Sequence, residues 1–379
     1  MSKRIPSLRI GMDVSGFRIG LAGVARYVQN MLANMIAIAP EMEFILYSAW
    51  PVEISLPKGK WRLRADSGLR GISVSFWIQH YLPKWLAEDK IDVFWGQNHL
   101  LPVRLKRQCS RLLTVHDITG LVCPSTMPLR SRISARLVLR QAVQAADCVV
   151  ADSKATAYLV RSCLGVEYDR VKLVYPGLGK VFGPVPSDEA TPRFLKQFCL
   201  SPGYLLTVGT IEPRKDHLTL LRALKFVPDA PQLVIVGSLG WKYRPILKQI
   251  RAMERRGRIR YLGRVEDSDL PALYSASKLM VYPSLYEGFG LPVLEAMACG
   301  CPVLCSWSSS LPEVGGNAAR YFRAHDAQDL VHKLRWLLTN DAVLKQMSVE
   351  GWQQAKKFSF RKAAAQLLSL IDEQVKCCR

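Results

Sequence analysis

The chain has 379 residues, 49% of them hydrophobic and 22% charged, a composition that excludes a disordered protein and fits about two globular domains. Its net charge of +21 is spread evenly, with +11 in residues 1–175 and +10 in residues 176–379, and it favours anionic partners. No apolar run approaches the ~20 residues that span a bilayer, the start has no secretory apolar region, and the ten cysteines include no CxxC pair. We therefore expect a cytoplasmic protein with reduced cysteines and no metal site.

The first half of the chain alternates apolar strand patterns with helix patterns. Strands are predicted at SLRIGMDVSG, EFILYSAW, IDVFWGQ, RLLTVHD, DCVVADS and RVKLVYPG. Helices are predicted at GVARYVQNMLANMIAIA and SARLVLRQAVQAA. This alternation indicates βαβ units and a mainly parallel sheet.

The same alternation restarts after a hinge rich in Pro and Gly, YPGLGKVFGPVPSDEATP. Strands are predicted at YLLTVGT, QLVIVGS, IRYLGRV, KLMVYPS and PVLCS. Helices are predicted at HLTLLRALKFV, DLPALYSAS, PVLEAMAC, DAQDLVHKLRWLLTN and FRKAAAQLLSLIDEQV. The sequence thus predicts an α/β protein with two Rossmann-like domains, residues 1–178 and 179–355, and a C-terminal helix in 356–379 that packs back on the first domain.

Loops at the carboxyl ends of parallel strands are the usual ligand sites in such sheets. After the first strand, Gly23 belongs to a glycine-rich loop that leads into a helix N-terminus, where free N–H groups attract phosphate. The alternative is a loop that binds nothing. His116 ends the strand of RLLTVHD and either donates to a bound hydroxyl or phosphate or is a structural histidine.

The first strand of the second half ends in VGTIEPRKDH, where Arg214 and Lys215 lie just before a helix. Arg offers a planar fork of donors and Lys a compact charge, so the pair suits a diphosphate. The alternative is a solvated charged turn.

The segment SLYEGFGLPVLEAMACGCPVL carries two acids eight positions apart, Glu287 and Glu295. Pro292 suits the start of a helix, which places Glu287 in the preceding loop and Glu295 in the first helical turn. The N–H groups of the residues at the helix start then remain available to a ligand: Phe289, Gly290 and Leu291. If Glu295 only complements the helix dipole, the glycine-lined loop with Glu287 stays unexplained.

This segment resembles the E-x7-E signature of the family 4 retaining glycosyltransferases, which have the GT-B fold of two Rossmann-like domains facing across a cleft. Four further segments agree with the family in order: GVARYV, VHDITGLVCPSTMP, VGTIEPRKDHLTLLRA and LGRVEDSDLPALYSAS. The resemblance covers nearly the whole chain. In one departure, Thr210 stands where some relatives carry an arginine, which leaves Arg214 beside Lys215 for that part.

The resemblance implies a role for each matching residue. Glu287 would contact hydroxyls of the donor sugar, and Glu295 the ribose of the nucleotide. Arg214 and Lys215, with the backbone of Gly290 and Leu291, would bind the diphosphate. The resemblance implies roles for three further residues. Gly23 would allow its loop to approach the phosphates closely, and Val265 would contact the nucleotide base. His116 would face the reacting sugar, near the acceptor.

The implied reaction moves a hexose from a nucleotide-diphosphate sugar, without a metal, to a growing lipid-linked glycan of the bacterial surface. GDP-mannose is the first donor to consider, and a dTDP-rhamnose or UDP-hexose donor remains open. A nucleotide-sugar 2-epimerase shares the fold, but the EPRK turn with E-x7-E argues against it. A nucleic-acid-binding protein is suggested by charge alone, and the sequence carries no recognisable nucleic-acid-binding signature.

Two basic stretches in the first half suggest peripheral contact with the anionic inner face of the membrane. Trp77, Tyr81 and Trp85 are interleaved with basic residues. Arg136 and Arg140 share a helix face with Arg132. The alternative for both is a solvated surface.

Overall fold

The computed structural model describes residues 8–19, 22–66, 73–97, 99–103, 109–184 and 195–378. They form two compact α/β units. The first unit comprises residues 1–118, 133–177 and 359–379, and the second comprises residues 119–132 and 178–358. Residues 119–132, which lie inside the range predicted for the first domain, thus belong to the second unit.

The first unit is built on a seven-stranded sheet in which every neighbouring pair is parallel. Its strands are β1 Arg9–Asp13, β2 Glu43–Ser48, β3 Trp61–Ala65, β4 Val93–Gly96, β5 Ser110–Val115, β6 Cys148–Ala151 and β7 Val171–Leu173. The strand order is β3-β2-β1-β4-β5-β6-β7. The central strands read as continuous apolar runs because helices cover both faces of a parallel sheet.

The helices up to the end of this sheet are α1 Ala22–Ile38, α2 Val74–His80, α3 Leu82–Glu88, α4 Thr119–Val122, α5 Leu129–Ala145 and α6 Lys154–Leu164. They include the two that the sequence named, α1 and α5, and four that it did not name. The segment with Trp77 was predicted to be a surface, and this is wrong for Trp77 itself, which is fully buried in α2. Tyr81 is 39% exposed.

The second unit contains a six-stranded parallel sheet with the order β10-β9-β8-β11-β12-β13. Its strands are β8 Tyr204–Val208, β9 Leu233–Val236, β10 Ile259–Gly263, β11 Ser277–Tyr282, β12 Val303–Ser306 and β13 Arg320–Phe322. Its helices are α7 His217–Lys225, α8 Arg244–Glu254, α9 Leu270–Ala276, α10 Leu291–Ala298, α11 Leu311–Gly315, α12 Ala327–Leu338 and α13 Asp341–Ala355.

The last helix, α14 Phe360–Cys378, belongs to the first unit and packs against α1, as the sequence predicted. Ala364, Leu367 and Ile371 are fully buried in the same core as Met31 and Met35 of α1. This packing closes one face of the sheet, so the fold is the predicted pair of parallel α/β units.

Candidate active site

Each sheet reverses its strand order once, and in open α/β sheets the crevice at such a reversal is where ligands bind. In the second unit the reversal lies between β8 and β11. The loop after β8 carries Arg214 and Lys215, and the loop after β11 carries Glu287. The topology therefore brings together three of the residues that the sequence singled out.

Glu287 is the centre of this group and is 8% exposed. Its Oε1 atom accepts from Lys215 Nζ at 2.6 Å, from Ser284 Oγ at 2.5 Å and from Tyr282 Oη at 3.0 Å. Its Oε2 atom lies 3.1 Å from Arg214 Nη1. Since each carboxylate oxygen can accept about two hydrogen bonds, Oε2 retains capacity for a ligand hydroxyl.

The two cations are held by further contacts. Arg214 Nη2 lies 2.9 Å from Glu212 Oε1, and Arg214 Nη1 donates to the carbonyl of Tyr286 at 2.7 Å. Lys215 Nζ also donates to Tyr282 Oη at 2.7 Å. An ammonium has three N–H donors, so one of Lys215 remains for a ligand. Two cations and two carboxylates thus form one buried, preorganised cluster.

Burial disfavours ionisation of Glu287, but the nearby charges of Lys215 and Arg214 outweigh it and lower its pKa to about 2. Burial also lowers the pKa of Lys215, and the carboxylate of Glu287 counters that fall. We conclude that the pair is ionised at neutral pH. The proton stays on Lys215 because the attraction between the two charges outweighs the cost of burying them.

The backbone around this cluster approaches closely and is tied down. A Cβ added at Gly237 would lie 2.0 Å from the carbonyl oxygen of Gly209, so only glycine fits there. The N–H of Glu287 donates to Ser309 Oγ at 2.8 Å. Gly290, in the left-handed region at φ 104°, is the N-cap of α10, and the N–H of Leu291 that follows it has no intrahelical acceptor.

Glu295 lies one residue further into α10 than predicted. The helix begins at Leu291, before Pro292, so Glu295 is its fifth residue and lies in the second turn. The side chain is 3% exposed, and its Oε2 accepts from Tyr274 Oη at 3.1 Å. Glu295 therefore does not complement the helix dipole from the first turn, and a buried polar partner holds it.

The structure places the other predicted residues without bringing them into this cluster. Val265 follows β10 and is 8% exposed, and Phe289, in the loop that precedes α10, is 5% exposed. Gly23 lies in the first turn of α1 in the first unit, and a Cβ there would meet no atom of the described part of the chain within 4 Å.

His116 lies in the first unit, directly after β5, and is held by a carboxylate that the sequence analysis did not identify. Its Nδ1 atom is 2.6 Å from Oδ2 of Asp152, which directly follows β6. The ring of Tyr27 packs edge-on at a centroid distance of 4.7 Å. Burial alone would lower the pKa of His116, but the charge of Asp152, joined by that of Asp117, raises it above its ordinary value. Nε2 is buried and has no hydrogen-bond partner among the described residues, so the ring presents one unused nitrogen.

Sequence reasoning missed four side chains that complete these arrangements: Glu212, Tyr282, Ser284 and Asp152. Glu212 is printed in the same EPRK turn as the two cations, and Asp152 ends a predicted strand beside that of His116. The sequence therefore shows that these residues lie in candidate loops. Which side chains they contact depends on the order of the strands in each sheet. Among the described residues no group of three or more His, Cys, Asp or Glu side chains could hold a metal ion.

Two family models match complementary parts of this chain. The model described as Glycosyl transferases group 1 matches residues 195–354, and the model described as Glycosyltransferase Family 4 matches residues 22–178. O-antigen chain mannosyltransferase B of Escherichia coli is 33% identical over 290 residues, which cover 75% of each chain. The chain belongs to the GT-B glycosyltransferases. Serotype-specific mannosyltransferase WbdA of Escherichia coli is 34% identical over 226 residues, but the match spans 58% of this glycosyltransferase and only 28% of that relative.

Solved structures share the fold of this glycosyltransferase. Sucrose-phosphate synthase from Thermosynechococcus elongatus matches with a TM-score of 0.79 at 20% identity, over 98% of this chain and 100% of that one. Anabaena Alr3699/HepE, solved in complex with UDP and glucose, matches with a TM-score of 0.74 at 15% identity, over 97% and 100% of the two chains. The GT-B fold predicted from the sequence is confirmed.

Proposed function

We propose that this glycosyltransferase is a retaining, family 4 enzyme that moves a hexose from a nucleotide-diphosphate sugar to a growing, lipid-linked glycan of the bacterial surface. Mannose from GDP-mannose is the first donor to test. The observation that carries the proposal is the buried cluster of Glu287, Lys215 and Arg214 at the strand reversal of the second unit.

The cluster has the chemistry that a nucleotide-diphosphate sugar needs. The free lone pair of Glu287 Oε2 suits a sugar hydroxyl, and the third N–H of Lys215 suits a phosphate oxygen. The N-terminus of α10 offers the backbone amides of Gly290 and Leu291 to the same phosphates. By analogy with the family, Glu295 would hold the ribose and Val265 would contact the base. Gly23 would allow its loop to approach the diphosphate closely.

The reaction breaks the bond between the sugar and the diphosphate, and negative charge grows on the leaving diphosphate. Lys215, Arg214 and the amides of α10 are fixed before the reaction, so they stabilise that charge without reorganising. A well-placed donor of this kind is worth about 2.7–4 kcal/mol. No metal ion is needed in this mechanism. The acceptor hydroxyl attacks the face from which the diphosphate departs, which retains the anomeric configuration, and His116 contributes near the reacting sugar.

The acceptor and the donor sugar are proposed from the relatives. The matched Escherichia coli protein is named an O-antigen chain mannosyltransferase, which supports mannose and a surface glycan. The complex of HepE with UDP and glucose supports a nucleotide-linked donor for this fold. O-antigen assembly on a lipid carrier would place the enzyme at the inner face of the cell membrane.

The test measures slow donor hydrolysis by the purified protein. We expect GDP-mannose to be hydrolysed faster than dTDP-rhamnose or UDP-glucose, with equal rates in EDTA and in magnesium. With a mannoside acceptor, NMR should show an α-linked product from the α-linked donor. An inverted linkage would contradict the retaining mechanism, and release of a 2-epimer would contradict transferase activity. Loss of activity in EDTA that magnesium restores would contradict metal independence.

The helix α5 supports peripheral contact with an anionic membrane. Its Ile133 and Leu137 are 52% and 63% exposed, one turn apart. Arg136 and Arg140, also one turn apart, are exposed on the same helix. Apolar residues flanked by arginine on one exposed helix are typical of helices that lie in a membrane interface. None of the described helices is long and apolar enough to cross a bilayer.

Membrane contact is tested by co-sedimentation with phosphatidylglycerol vesicles. We expect binding at low salt and loss near 1 M salt, where the Debye length is about 3 Å. The variants Ile133→Gln/Leu137→Gln and Arg136→Glu/Arg140→Glu should each bind several-fold less. Arg255→Glu/Arg256→Glu, at exposed positions of the second unit, is the charge-matched control. If both α5 variants bind the vesicles as well as wild type and the control variant do, α5 is only a solvated surface.

A further inference from the structure

Tyr282 lies in the candidate active site, where it is a neutral residue between two charged ones. It is the last residue of β11 and is 2% exposed. The strand β11 pairs with β8 on one side and with β12 on the other, so its backbone is held from both sides. Glu287, in contrast, lies in the loop that follows β11. The phenol therefore projects from a fixed strand towards a carboxylate that a loop carries.

The phenol oxygen forms a closed triangle with the two charged groups. Tyr282 Oη is 2.7 Å from Lys215 Nζ and 3.0 Å from Glu287 Oε1, and Nζ and Oε1 are 2.6 Å apart. A charged ammonium has only donors, and an ionised carboxylate has only acceptors. The hydroxyl must therefore accept from Lys215 and donate its single proton to Glu287. The charges of its two neighbours fix the direction of both bonds.

The phenol keeps this proton at neutral and at acidic pH. Burial raises the pKa of Tyr282 well above its ordinary value, and the negative charge of Glu287 raises it further. A donor with one proton, bound on its other side by Lys215, has one stable orientation. Tyr282 is thus a permanent donor to the carboxylate of Glu287.

The donors to Glu287 are distributed unevenly over its two oxygens. Oε1 accepts from the side chains of Lys215, Ser284 and Tyr282, whereas Oε2 lies 3.1 Å from Nη1 of Arg214. Because an oxygen of this kind accepts about two hydrogen bonds, Oε1 is fully used and Oε2 keeps capacity for a ligand. A rotation of the carboxylate away from this orientation would move Oε1 off the phenol. The donors on Oε1 therefore set the direction in which Oε2 points.

The ring and the hydroxyl of Tyr282 make separable contacts. The ring centroid lies 5.2 Å from Lys215 Nζ, a distance at which an aromatic face attracts a cation. Phenylalanine keeps this ring and removes only the hydroxyl. Lys215 then retains its 2.6 Å contact with Glu287, so the substitution removes a donor from the carboxylate without separating the ion pair.

We propose that Tyr282 is a positioning residue whose hydroxyl, held by Lys215, orients the carboxylate of Glu287 so that Oε2 faces a hydroxyl of the bound sugar. That this sugar is the donor hexose rests on the proposed function. The orientation of Glu287 by Tyr282 does not, because it depends only on contacts inside the second unit. Loss of the phenol hydroxyl should slow the reaction of the sugar more than it weakens binding of the diphosphate, which Lys215 binds.

The first test compares Tyr282→Phe with Tyr204→Phe in the hydrolysis of GDP-mannose and in calorimetric titration with GDP. Tyr204, on β8, is a matched control because it is 3% exposed and its hydroxyl donates to the carbonyl of Leu273 at 2.7 Å. We expect kcat of Tyr282→Phe to fall about tenfold while its affinity for GDP changes less than about threefold. Tyr204→Phe should match wild type in both. The two variants should lose similar amounts of Tm, since each lacks one buried, hydrogen-bonded hydroxyl.

The second test needs no nucleotide sugar. Removing a donor to the carboxylate disfavours its ionised form, so the lowered pKa of Glu287 should rise towards its ordinary value. A carboxyl with a lowered pKa in the folded state stabilises the fold above its ordinary pKa, and this stabilisation is lost as the pH falls through the folded value. Tyr282→Phe should therefore lose less stability than Tyr204→Phe between about pH 4.5 and pH 2, measured by urea denaturation at a series of pH values.

Equal kcat for the two variants overturns this role for Tyr282, and so does a loss of GDP affinity as large as the loss of kcat, since the hydroxyl would then position Lys215. A Tyr282→Phe protein that does not fold, or an equal acid-dependent loss of stability in both variants, overturns it too. If wild type hydrolyses no nucleotide sugar, the proposed function fails and the stability comparison alone decides whether Tyr282 orients Glu287. If wild type hydrolyses the donor and the two variants behave alike, the proposed function stands without this role.

Discussion

The two sheets reverse their strand order at equivalent points, yet the polar groups gathered there are in opposite states. At the reversal between β8 and β11, Glu287, Lys215 and Arg214 pair with one another. At the reversal between β1 and β4, the side-chain amide of Gln97 has no hydrogen-bond partner among the residues that the structure describes, and Asp13 accepts from Ser15. The first arrangement holds charges in pairs of opposite sign, whereas the second holds a carboxylate whose pKa burial raises.

This difference implies a different link between stability and function at each point. Removing one member of the Glu287 cluster leaves buried charges without a partner, so function and folding should fail together. Removing the polar atoms of Gln97 leaves no partner unpaired among the described residues, so the fold should be unharmed. Four further variants test this contrast.

The largest effect is expected for Glu287→Ala. Transfer and hydrolysis should fall at least 1000-fold, and the free energy of unfolding should fall by about 3–5 kcal/mol because Lys215 is left buried beside Arg214. The double variant Glu287→Gln/Lys215→Met removes the charges while keeping the shape, so stability should recover while activity does not. Denaturant titration and donor hydrolysis measure the two quantities.

The pH dependence of the same variants gives a second readout. The pKa of Glu287 is lowered from its ordinary value of 4.5 to about 2, so the carboxylate stabilises the fold above about pH 4.5, and this stabilisation is lost as the pH falls towards 2. Glu287→Gln/Lys215→Met should lack that acid-dependent loss. The buried ion pair would be contradicted if Glu287→Ala were as stable as wild type. It would also be contradicted if Glu287→Gln/Lys215→Met were no more stable than Glu287→Ala.

A smaller effect is expected for Lys215→Met. Its free N–H should meet the diphosphate, so binding of GDP should weaken about 100-fold while binding of guanosine changes less than threefold. Lys225→Met, at an exposed position in the last turn of α7, should change neither. Calorimetric titration measures the affinity for both ligands. Equal losses of affinity for GDP and guanosine would mean that Lys215 stabilises the fold or contacts the base instead of the diphosphate.

The expected effect of Asp152→Asn is smaller again and is confined to the first unit. The carboxylate raises the pKa of His116, so its removal should lower that pKa and move the alkaline limb of the pH–activity profile to lower pH. Activity at pH 7.5 should fall about tenfold, with Tm little changed. His99 and Asp117 lie near the same ring and remain in the variant. A uniform fall in activity at every pH would mean that Asp152 only supports the fold.

The sequence was sufficient for the fold class and for much of the residue content of the second unit's site. Buried parallel strands read as apolar runs, and the EPRK and EGFGLP loops follow two of them directly. The strand β3 was missed because its WRLRA pattern alternates charge with apolar residues, and β13 because it has only three residues. In the second unit, helices α8, α11 and α13 were also missed.

Pairing between distant segments is what the sequence could not supply. The contact of Lys215 with Glu287 depends on β8 lying beside β11, and the proximity of Asp13 to Gln97 depends on β1 lying beside β4. Neither neighbour relation is local, since a crossover separates the strands in each case. Likewise Trp77 was assigned to a surface because its neighbours are basic, whereas the structure buries it under α3.

The smallest effect is expected for Asp13→Asn, and it sharpens the contrast between the two reversal points most directly. Glu287 has a lowered pKa because cations surround it, whereas the pKa of Asp13 is raised from 3.8 to about 6 because burial is not compensated by charge. A carboxyl whose pKa is higher in the folded state favours its neutral form there, so wild type should lose stability as the pH rises from about 4 to 6 and then stay level. Asparagine can still accept from Ser15 and carries no charge, so Asp13→Asn should be more stable than wild type by about 1–2 kcal/mol at pH 8, with little difference at pH 4. Urea denaturation at both pH values measures this gain, and Asp169→Asn, at an exposed position of the same unit, should show none. If Asp13→Asn gains nothing at pH 8, water reaches that carboxylate freely, and burial does not raise its pKa.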